Sequence, residues 1–180
     1  NGYGISSRCG LHIHIEFPCR KKTIKRLLLM VYACEPIFYA VNPKSRKNNN
    51  FCKSLAPAFK VGEILATDTA QIDKLFYSKG NGRTTQNAIK IYKMSKWNEC
   101  RYFGFNLHSL FFRNTIEFRY HAGTIEPQKI ISWIWLLRSI LLYVRYDYDK
   151  PEVLEFIEQP TILGKFRYLS NMLKLNERHI

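Results

Sequence analysis

Acidic residues are scarce in this chain. Its 180 residues include 14 Asp and Glu against 28 Lys and Arg, which gives a formal net charge of +14. The excess is regional, because residues 20–60 carry 10 basic residues and 1 acidic residue, whereas residues 106–180 carry 10 and 8. A basic region of this kind attracts polyanions such as nucleic acid, phosphorylated ligands or an anionic membrane, unless it is simply a solvated helix face.

Three sequence signatures that would assign a class of protein are missing. The five cysteines, Cys9, Cys19, Cys34, Cys52 and Cys100, contain no C-x-x-C pair, which argues against a zinc ribbon or a thioredoxin-type site. Neither G-x-x-x-x-G-K-[ST] nor G-x-G-x-x-G occurs, so a P-loop or Rossmann nucleotide site is not supported. The odd, scattered cysteines and the absence of a visible signal peptide predict a cytoplasmic protein with reduced thiols.

A long hydrophobic run is also missing. The most apolar stretch, residues 130–144, has 15 residues and includes Arg138. A membrane-spanning helix needs about 20 apolar residues, so this stretch predicts a buried helix and no membrane partner. The composition, 46% hydrophobic and 14% aromatic, predicts one folded domain over residues 1–180.

Hydrophobic periodicity predicts an α+β fold. Strict alternation indicates a strand over residues 9–17, which Pro18 ends, and residues 101–107 and 115–121 are predicted to be two strands of a hairpin. The predicted helices are residues 21–41, with Pro36 kinking or ending the helix, residues 67–77, residues 127–146, and stretches near 152–158 and 163–175. Residues 42–50 read as a polar loop. We expect a mostly antiparallel sheet with helices packed on one side, and residues 147–180 as a helical extension of the same domain.

Two of the predicted strands carry unusual polar faces. Residues i and i+2 of a strand share a face, so one face of each strand collects the following side chains: His12, His14 and Glu16 on the first, and Thr115, Glu117, Arg119 and His121 on the second. Imidazole and carboxylate groups bind divalent cations, and arginine binds phosphate with two parallel hydrogen bonds. A metal beside an arginine predicts phosphate chemistry with Mg²⁺, to which Arg46 in the basic loop would add an anion contact.

Two other classes of function are open at this point. His12 and His14 with a glutamate could form a 2-His-1-carboxylate site for iron or zinc, as in cupin-like oxygenases or hydrolases. Tightly bound iron or zinc without nucleotide binding would favour that alternative. Residues 20–60 could instead form a nucleic-acid-binding module, with an affinity that falls steeply with salt. Aromatic side chains for base stacking are not interleaved with that basic stretch, so nucleic acid is the weakest of the partners considered.

Four motifs together resemble one known family. They are CGLHIHIE at residues 9–16, SRKNN at 45–49, RYFGFNL at 101–107 and TIEFRYHAGT at 115–124. Their order and spacing resemble the amidoligases, a family of glutamine synthetase-like carboxylate–amine ligases, over most of residues 10–142. The last 40 or so residues carry no matching motif.

The resemblance implies roles for particular residues. His12 and Glu117 would bind the metal, His14 would lie near the reacting substrate, and Arg119 would contact the transferred phosphoryl group. Arg46 would be a second anchor for phosphate or carboxylate. Further matches assign Asn106 to the nucleotide site and the following residues to the substrate: Glu16, Asn49, His121, Gly123 and Thr124. His108 and His179 are expected at the surface or in local hydrogen bonds.

The resemblance also implies a reaction. An ATP-dependent ligase of this type, with Mg²⁺ or Mn²⁺, phosphorylates a carboxylate and joins it to an amine in an amide or isopeptide bond. Its substrates would be a carboxylate and an amine, on amino acids or peptides, and its oligomeric state is open. Family members usually begin with an F-G-x-E-x-E strand, which has no counterpart here. We therefore expect a glutamine synthetase-like domain that is N-terminally incomplete, whose activity on its own is in question.

Overall fold

Three antiparallel strands form a sheet in the part of the chain that the structure describes. The computed structural model describes residues 9–17, 20–47, 49–80 and 83–175. Within them, β1 (Gly10–Glu16), β2 (Phe105–Asn106) and β3 (Thr115–Ala122) form a sheet in the order β1-β3-β2. Pro18, which predicts the end of the first strand, lies outside the described residues. The central strand of the sheet is therefore the one that carries Glu117 and Arg119.

Helices make up most of the remaining described structure. They are α1 (Lys21–Ala40), α2 (Lys44–Lys47), α3 (Val61–Ala66), α4 (Ile72–Ser78), α5 (Gln86–Met94), α6 (His108–Arg113), α7 (Pro127–Leu142), α8 (Lys150–Glu158) and α9 (Ile162–Met172). Short 3-10 helices occupy Thr69–Gln71 and Glu99–Tyr102, and a π-helical turn, Tyr143–Asp147, follows α7. The prediction of an α+β fold with an antiparallel sheet is confirmed.

The longest helix, α1, lies behind the apolar face of the sheet. Its apolar residues recur every three or four positions, as predicted, but the middle of the helix is buried on every side, since all residues of 27–31 are buried. The ring of Phe38 lies 5.0 Å from the rings of both Tyr120 in β3 and Trp133 in α7, measured between centroids. Pro36 lies within α1 and does not end it. The core thus sits between α1, α7 and one face of β3, which leaves the other face of the sheet for polar residues.

One buried carboxylate connects these layers. Glu35 of α1 accepts hydrogen bonds from the Tyr120 hydroxyl, the Ser54 hydroxyl and the backbone N–H groups of Leu55 and Ala56. Burial raises the pKa of Glu35, and these four donors act in the opposite direction. Helix α1, the segment after α2 and strand β3 are therefore held together by a polar cluster inside the core.

Several predicted boundaries differ from the structure. The predicted loop at residues 42–50 contains α2, whose first turn follows Pro43, a residue with a backbone φ already suited to a helix. The predicted strand at 101–107 is reduced to β2, because a 3-10 helix capped by Asn98 occupies Glu99–Tyr102. β2 and β3 pair as predicted, but α6 joins them in place of a tight turn. Helices α3 and α5 are additional to those predicted.

The predicted C-terminal helices are present as α8 and α9. Both pack against α1, where Phe156 and Leu169 are buried. Lys165 of α9 donates to the carbonyl oxygens of Phe156 and Ile157, so its ammonium satisfies the last turn of α8. In the described part of the chain, no helix is long and apolar enough to span a membrane. Cys9, Cys34, Cys52 and Cys100 are free thiols.

Candidate active site

The polar face of the sheet converges on Glu117. This residue lies in the central strand, so it has a neighbour on each side: His14 of β1 and Asn106 of β2 are its cross-strand partners. Directly opposed residues in an antiparallel pair share a face of the sheet. Two neighbouring strands and the distant β1 therefore bring an amide, a carboxylate and an imidazole together.

Glu117 is surrounded by donors. Its Oε1 atom lies 3.1 Å from His12 Nδ1, 3.5 Å from His14 Nε2 and 3.1 Å from a terminal nitrogen of Arg119. The Asn106 amide donates to Oε2. Burial acts to raise the pKa of Glu117, but the hydrogen bond from His12, the charge of Arg119, the amide of Asn106 and the charge of His14 lower it to about 2. The side chain is therefore a carboxylate at neutral pH.

Arg119 is a buried cation with spare hydrogen-bonding capacity. Its side chain is embedded in the protein, with the residue 6% exposed. Its Nε–H donates to the carbonyl oxygen of Phe51 at 2.9 Å, and Nη1 donates to Glu117. A guanidinium has five N–H donors, so three have no acceptor among the residues that the structure describes. Burial lowers the pKa of Arg119 and Glu117 raises it, but an arginine remains charged in proteins.

A cavity of about 230 Å³ opens in front of these side chains. Besides Arg119, three basic residues line it: Lys96, Arg101 and Arg113. Glu117 is the carboxylate of this lining, so positive charge exceeds negative charge around the cavity. These three basic residues were missed by the sequence analysis. Their spacing in the sequence has no recognisable pattern, although Arg101 begins one of the motifs that carry the resemblance.

Besides Arg113, helix α6 contributes His108, Ser109 and Phe112 to the lining. The Ser109 hydroxyl lies 3.4 Å from His14 Nδ1, which also lies 3.0 Å from the Thr115 hydroxyl. These contacts engage Nδ1 and leave Nε2 of His14 facing Glu117. His108 is 3% exposed, and its Nδ1 lies 2.9 Å from the Tyr77 hydroxyl. Of the two positions expected for His108, the structure has the hydrogen-bonded one and not the surface one, because α6 turns this residue toward α4. Burial lowers the pKa of His108, which favours the neutral imidazole.

The donor set bears on which metal could bind. Among the described residues, no group of three or more His, Cys, Asp or Glu side chains is arranged to hold a metal ion. A 2-His-1-carboxylate iron or zinc site needs three such ligands. His12 and the ionised Glu117 instead form a two-residue set, which fits an ion that takes its other ligands from phosphate oxygens and water. A carboxylate and an imidazole are groups of the kinds that bind divalent cations.

Six other sequence-predicted residues do not line this cavity. Arg46 is buried behind β3. Glu16 is exposed at the end of β1. Asn49 accepts a hydrogen bond from the backbone N–H of Phe51, and Thr124 accepts one from that of Glu126. The Gly123 N–H donates to the carbonyl oxygen of Cys9.

His121 is the sixth of these residues. The alternation pattern places it on the face of Glu117 and Arg119. A register shift between β1 and β3 pairs His121 with Leu11, and its ring lies 5.2 Å from that of Trp133 in α7. His121 therefore faces the core helices, which corrects the predicted face.

Comparison with known proteins gives one match. A family model described as "Putative amidoligase enzyme" matches residues 1–141. The matched range includes all three described strands and every residue that lines the cavity, whereas α8 and α9 lie beyond it. Searches of curated proteins and of solved structures found no match.

Proposed function

The chain belongs to the amidoligase family, and from this premise we propose that it is an ATP-dependent carboxylate–amine ligase. The γ-phosphoryl group of ATP passes to an oxygen of the substrate carboxylate, which yields ADP and an acyl phosphate. The amine then attacks the acyl carbon, the C–O bond to phosphate breaks, and an amide and inorganic phosphate are formed. The glutamine synthetase-like arrangement of the site is part of the same proposal.

The observation that carries the proposal is the state of Arg119. Its guanidinium lines the cavity, and three of its five N–H donors are unused by the described residues, so they are free to bind an anion there. Phosphate and carboxylate oxygens are its best acceptors, because they match the planar guanidinium and neutralise its charge. Arg119 is therefore the residue that contacts the transferred phosphoryl group and stabilises the charge that develops there.

The other basic residues of the cavity extend this anion site. Lys96, Arg101 and Arg113 line the same cavity as Arg119. A volume of about 230 Å³ is below the roughly 300–1,000 Å³ of pockets that enclose a drug-sized molecule. The cavity therefore suits the polyphosphate end of a nucleotide and a carboxylate group, while the base lies outside it. Which amine and which acid are joined depends on surfaces beyond the cavity.

His12 and Glu117 would hold the metal, and Mg²⁺ or Mn²⁺ bound there would neutralise phosphate charge and orient the polyphosphate. Glu117 is ready for this role because its partners keep it ionised. His14, fixed through Nδ1 by Thr115 and Ser109, presents Nε2 on the cavity side. The His14 imidazole would thereby lie beside the reacting substrate.

The first test concerns Arg119. We expect the protein to bind the non-hydrolysable analogue AMP-PNP with Mg²⁺, measured by isothermal titration calorimetry. Arg119→Lys keeps a positive charge but loses the planar donor pair, so the affinity should fall about tenfold or more.

Arg138→Ala, on the exposed side of α7, is the matched control and should bind as the wild type does. Circular dichroism would establish that both variants fold. The proposal fails if the wild-type protein does not bind the nucleotide analogue, or if Arg119→Lys binds it equally well.

A further inference from the structure

Arg46 is the most deeply buried arginine near the site, but it does not face the cavity. The residue is 3% exposed. Its Nε–H donates to the carbonyl oxygen of Tyr120 at 3.3 Å, and Nη2 donates to the carbonyl oxygen of Arg119. Both acceptors belong to the backbone of β3. The guanidinium fork of Arg46 is therefore directed at the strand that carries the anion-binding arginine.

The two carbonyl groups lie at an irregularity of the sheet. Leu11 pairs with His121 and Ile13 pairs with Phe118, so two residues of β3, Arg119 and Tyr120, stand opposite the single residue His12 of β1. Such a β-bulge interrupts the ladder of hydrogen bonds between strands. Buried carbonyl groups released from the ladder need another donor. Arg46 supplies donors to both of them from one rigid, planar group.

The start of β1 leaves room for this contact. A Cβ atom placed on Gly10 would lie 2.5 Å from Nη2 of Arg46 and 3.0 Å from its Cζ. The guanidinium is buried and hydrogen-bonded to β3. It could move away from a methyl group at position 10 only by losing its hydrogen bonds to the carbonyl groups of β3. The absence of a side chain at Gly10 therefore allows Arg46 to keep its hydrogen bonds to β3.

The segment that contains Arg46 holds Arg119 at a second point. After α2, the Asn49 side chain accepts a hydrogen bond from the N–H of Phe51, and the Phe51 carbonyl accepts one from Nε of Arg119. On the other edge of β3, the N–H of Arg119 donates to the carbonyl of Gly104 at 2.8 Å. The backbone of Arg119 is thus held by Arg46, and its side chain is held by Phe51.

We propose that Arg46 is a positioning residue: its guanidinium fork holds the bulge of β3 and thereby aims Arg119 into the cavity, without itself contacting phosphate. The proposal rests on the proposed function for its binding readout. It assigns the SRKNN segment, residues 45–49, to the support of the anion site. A direct phosphate anchor would act independently of Arg119, whereas a positioning residue acts through it.

The test is a double-mutant cycle on the affinity for AMP-PNP with Mg²⁺. Arg46→Lys keeps the charge and loses the fork, and Gly10→Ala keeps Arg46 and displaces it. Both should weaken binding about tenfold, as substitutions of residues that orient a ligand-binding group commonly do. In the Arg119→Lys background, Arg46→Lys should cause little further loss, because the residue through which it acts has already been changed.

A control separates positioning from general destabilisation. Val153→Ala, at a buried position of α8, should lower the melting temperature and leave nucleotide affinity unchanged. The inference is overturned if Arg46→Lys binds as the wild type does, or if the losses from Arg46→Lys and Arg119→Lys simply add.

A second readout does not depend on nucleotide. The Nε–H signal of Arg119 in a ¹⁵N NMR spectrum should be protected from exchange in the wild type, because Phe51 accepts it. That protection should be lost in Arg46→Lys and in Gly10→Ala. If the wild type binds no nucleotide, the proposed function fails, and the NMR result alone decides the positioning role. An unchanged Arg119 signal in both variants would refute it.

Discussion

Glu117 shows how single side chains set the chemistry of this site. Burial alone would favour its neutral form, yet donors from β1, β2 and β3 hold its pKa near 2. The carboxylate therefore offers negative charge to a cation while Arg119 beside it offers positive charge to an anion. A metal-bound phosphate is a ligand that would interact with both charges, the metal with Glu117 and the phosphate with Arg119.

A substitution of Glu117 tests this reading. Glu117→Gln keeps the size of the side chain and removes its charge, so Mn²⁺ binding in the presence of AMP-PNP should weaken about tenfold or more. Electron paramagnetic resonance of free Mn²⁺ measures the change. Glu158→Gln, at an exposed position of α8, is the control. Equal Mn²⁺ affinity in the two variants would remove Glu117 from the metal site.

At the scale of elements, the bulge in β3 decides which side chains reach the cavity. Strict alternation holds for the paired residues His14 and Glu117 but fails for His121, which is paired with Leu11. Helix α6 adds Ser109 and His108, which no alternation pattern includes. The polar site therefore depends on one irregular strand and one short helix as much as on regular β-structure.

Charge pairs also join the helices on the side of α1 that faces α4 and α5. Asp73 of α4 accepts a hydrogen bond from Lys93 of α5 and lies 4.0 Å from Nζ of Lys21 in α1. Burial acts to raise the pKa of Asp73, but the hydrogen bond and charge of Lys93, the charge of Lys21 and a backbone N–H lower it. The ionised form is thus favoured by folding.

This pKa shift predicts a pH-dependent effect on stability. Because folding lowers the pKa of Asp73, its ionised carboxylate stabilises the fold at pH values above the ordinary pKa of 3.8. This stabilisation is lost as the pH falls through the lower pKa that Asp73 has in the folded protein. Asp73→Asn should therefore lower the melting temperature at pH 7 by roughly 2–4 °C. The difference from wild type should shrink as the pH is lowered toward 3. A difference that stays constant over this range, measured by circular dichroism, would contradict the prediction.

At the scale of the whole molecule, much of the basic excess is used in internal contacts. Lys21 donates to the carbonyl of Ala70, Lys25 donates to those of Leu65 and Thr67, and Arg26 lies over the ring of Tyr148. Arg46 is buried against β3. Basic residues of the stretch 20–60 therefore link α1 to its neighbouring segments, and Arg46 binds the backbone of β3 on the side away from the cavity. The remaining basic residues contribute surface charge.

The C-terminal helices are proposed to be part of the same cooperative unit as the sheet. Phe156 of α8 is fully buried against the core that includes α1. Phe156→Ala should lower the free energy of unfolding by about 3–5 kcal/mol. Far-UV and near-UV circular dichroism should report one common transition in the variant. Two separated transitions would indicate that α8 and α9 form an independent unit.

Local sequence patterns account for a large part of this protein. The period-two alternation of residues 9–17 and 115–121 predicted that His12 and His14 share a face of one strand and that Glu117 and Arg119 share a face of another. The periodicity of α1 and α7 identified the core helices. These features follow from the sequence because strand and helix periods depend on residues a few positions apart.

The contacts and electrostatics of the site, in contrast, were determined only by the tertiary structure. Arg46 was expected to contact phosphate but lies against β3, because a bulge between distant strands leaves two carbonyl groups for it to bind. The low pKa of Glu117 depends in part on His12 and His14, which are far from it in the chain, and the positions of Lys96, Arg101 and Arg113 around the cavity follow from the packing of several elements. Long-range packing sets burial, register and electrostatic partners, and these determine which of the predicted polar residues can reach a ligand.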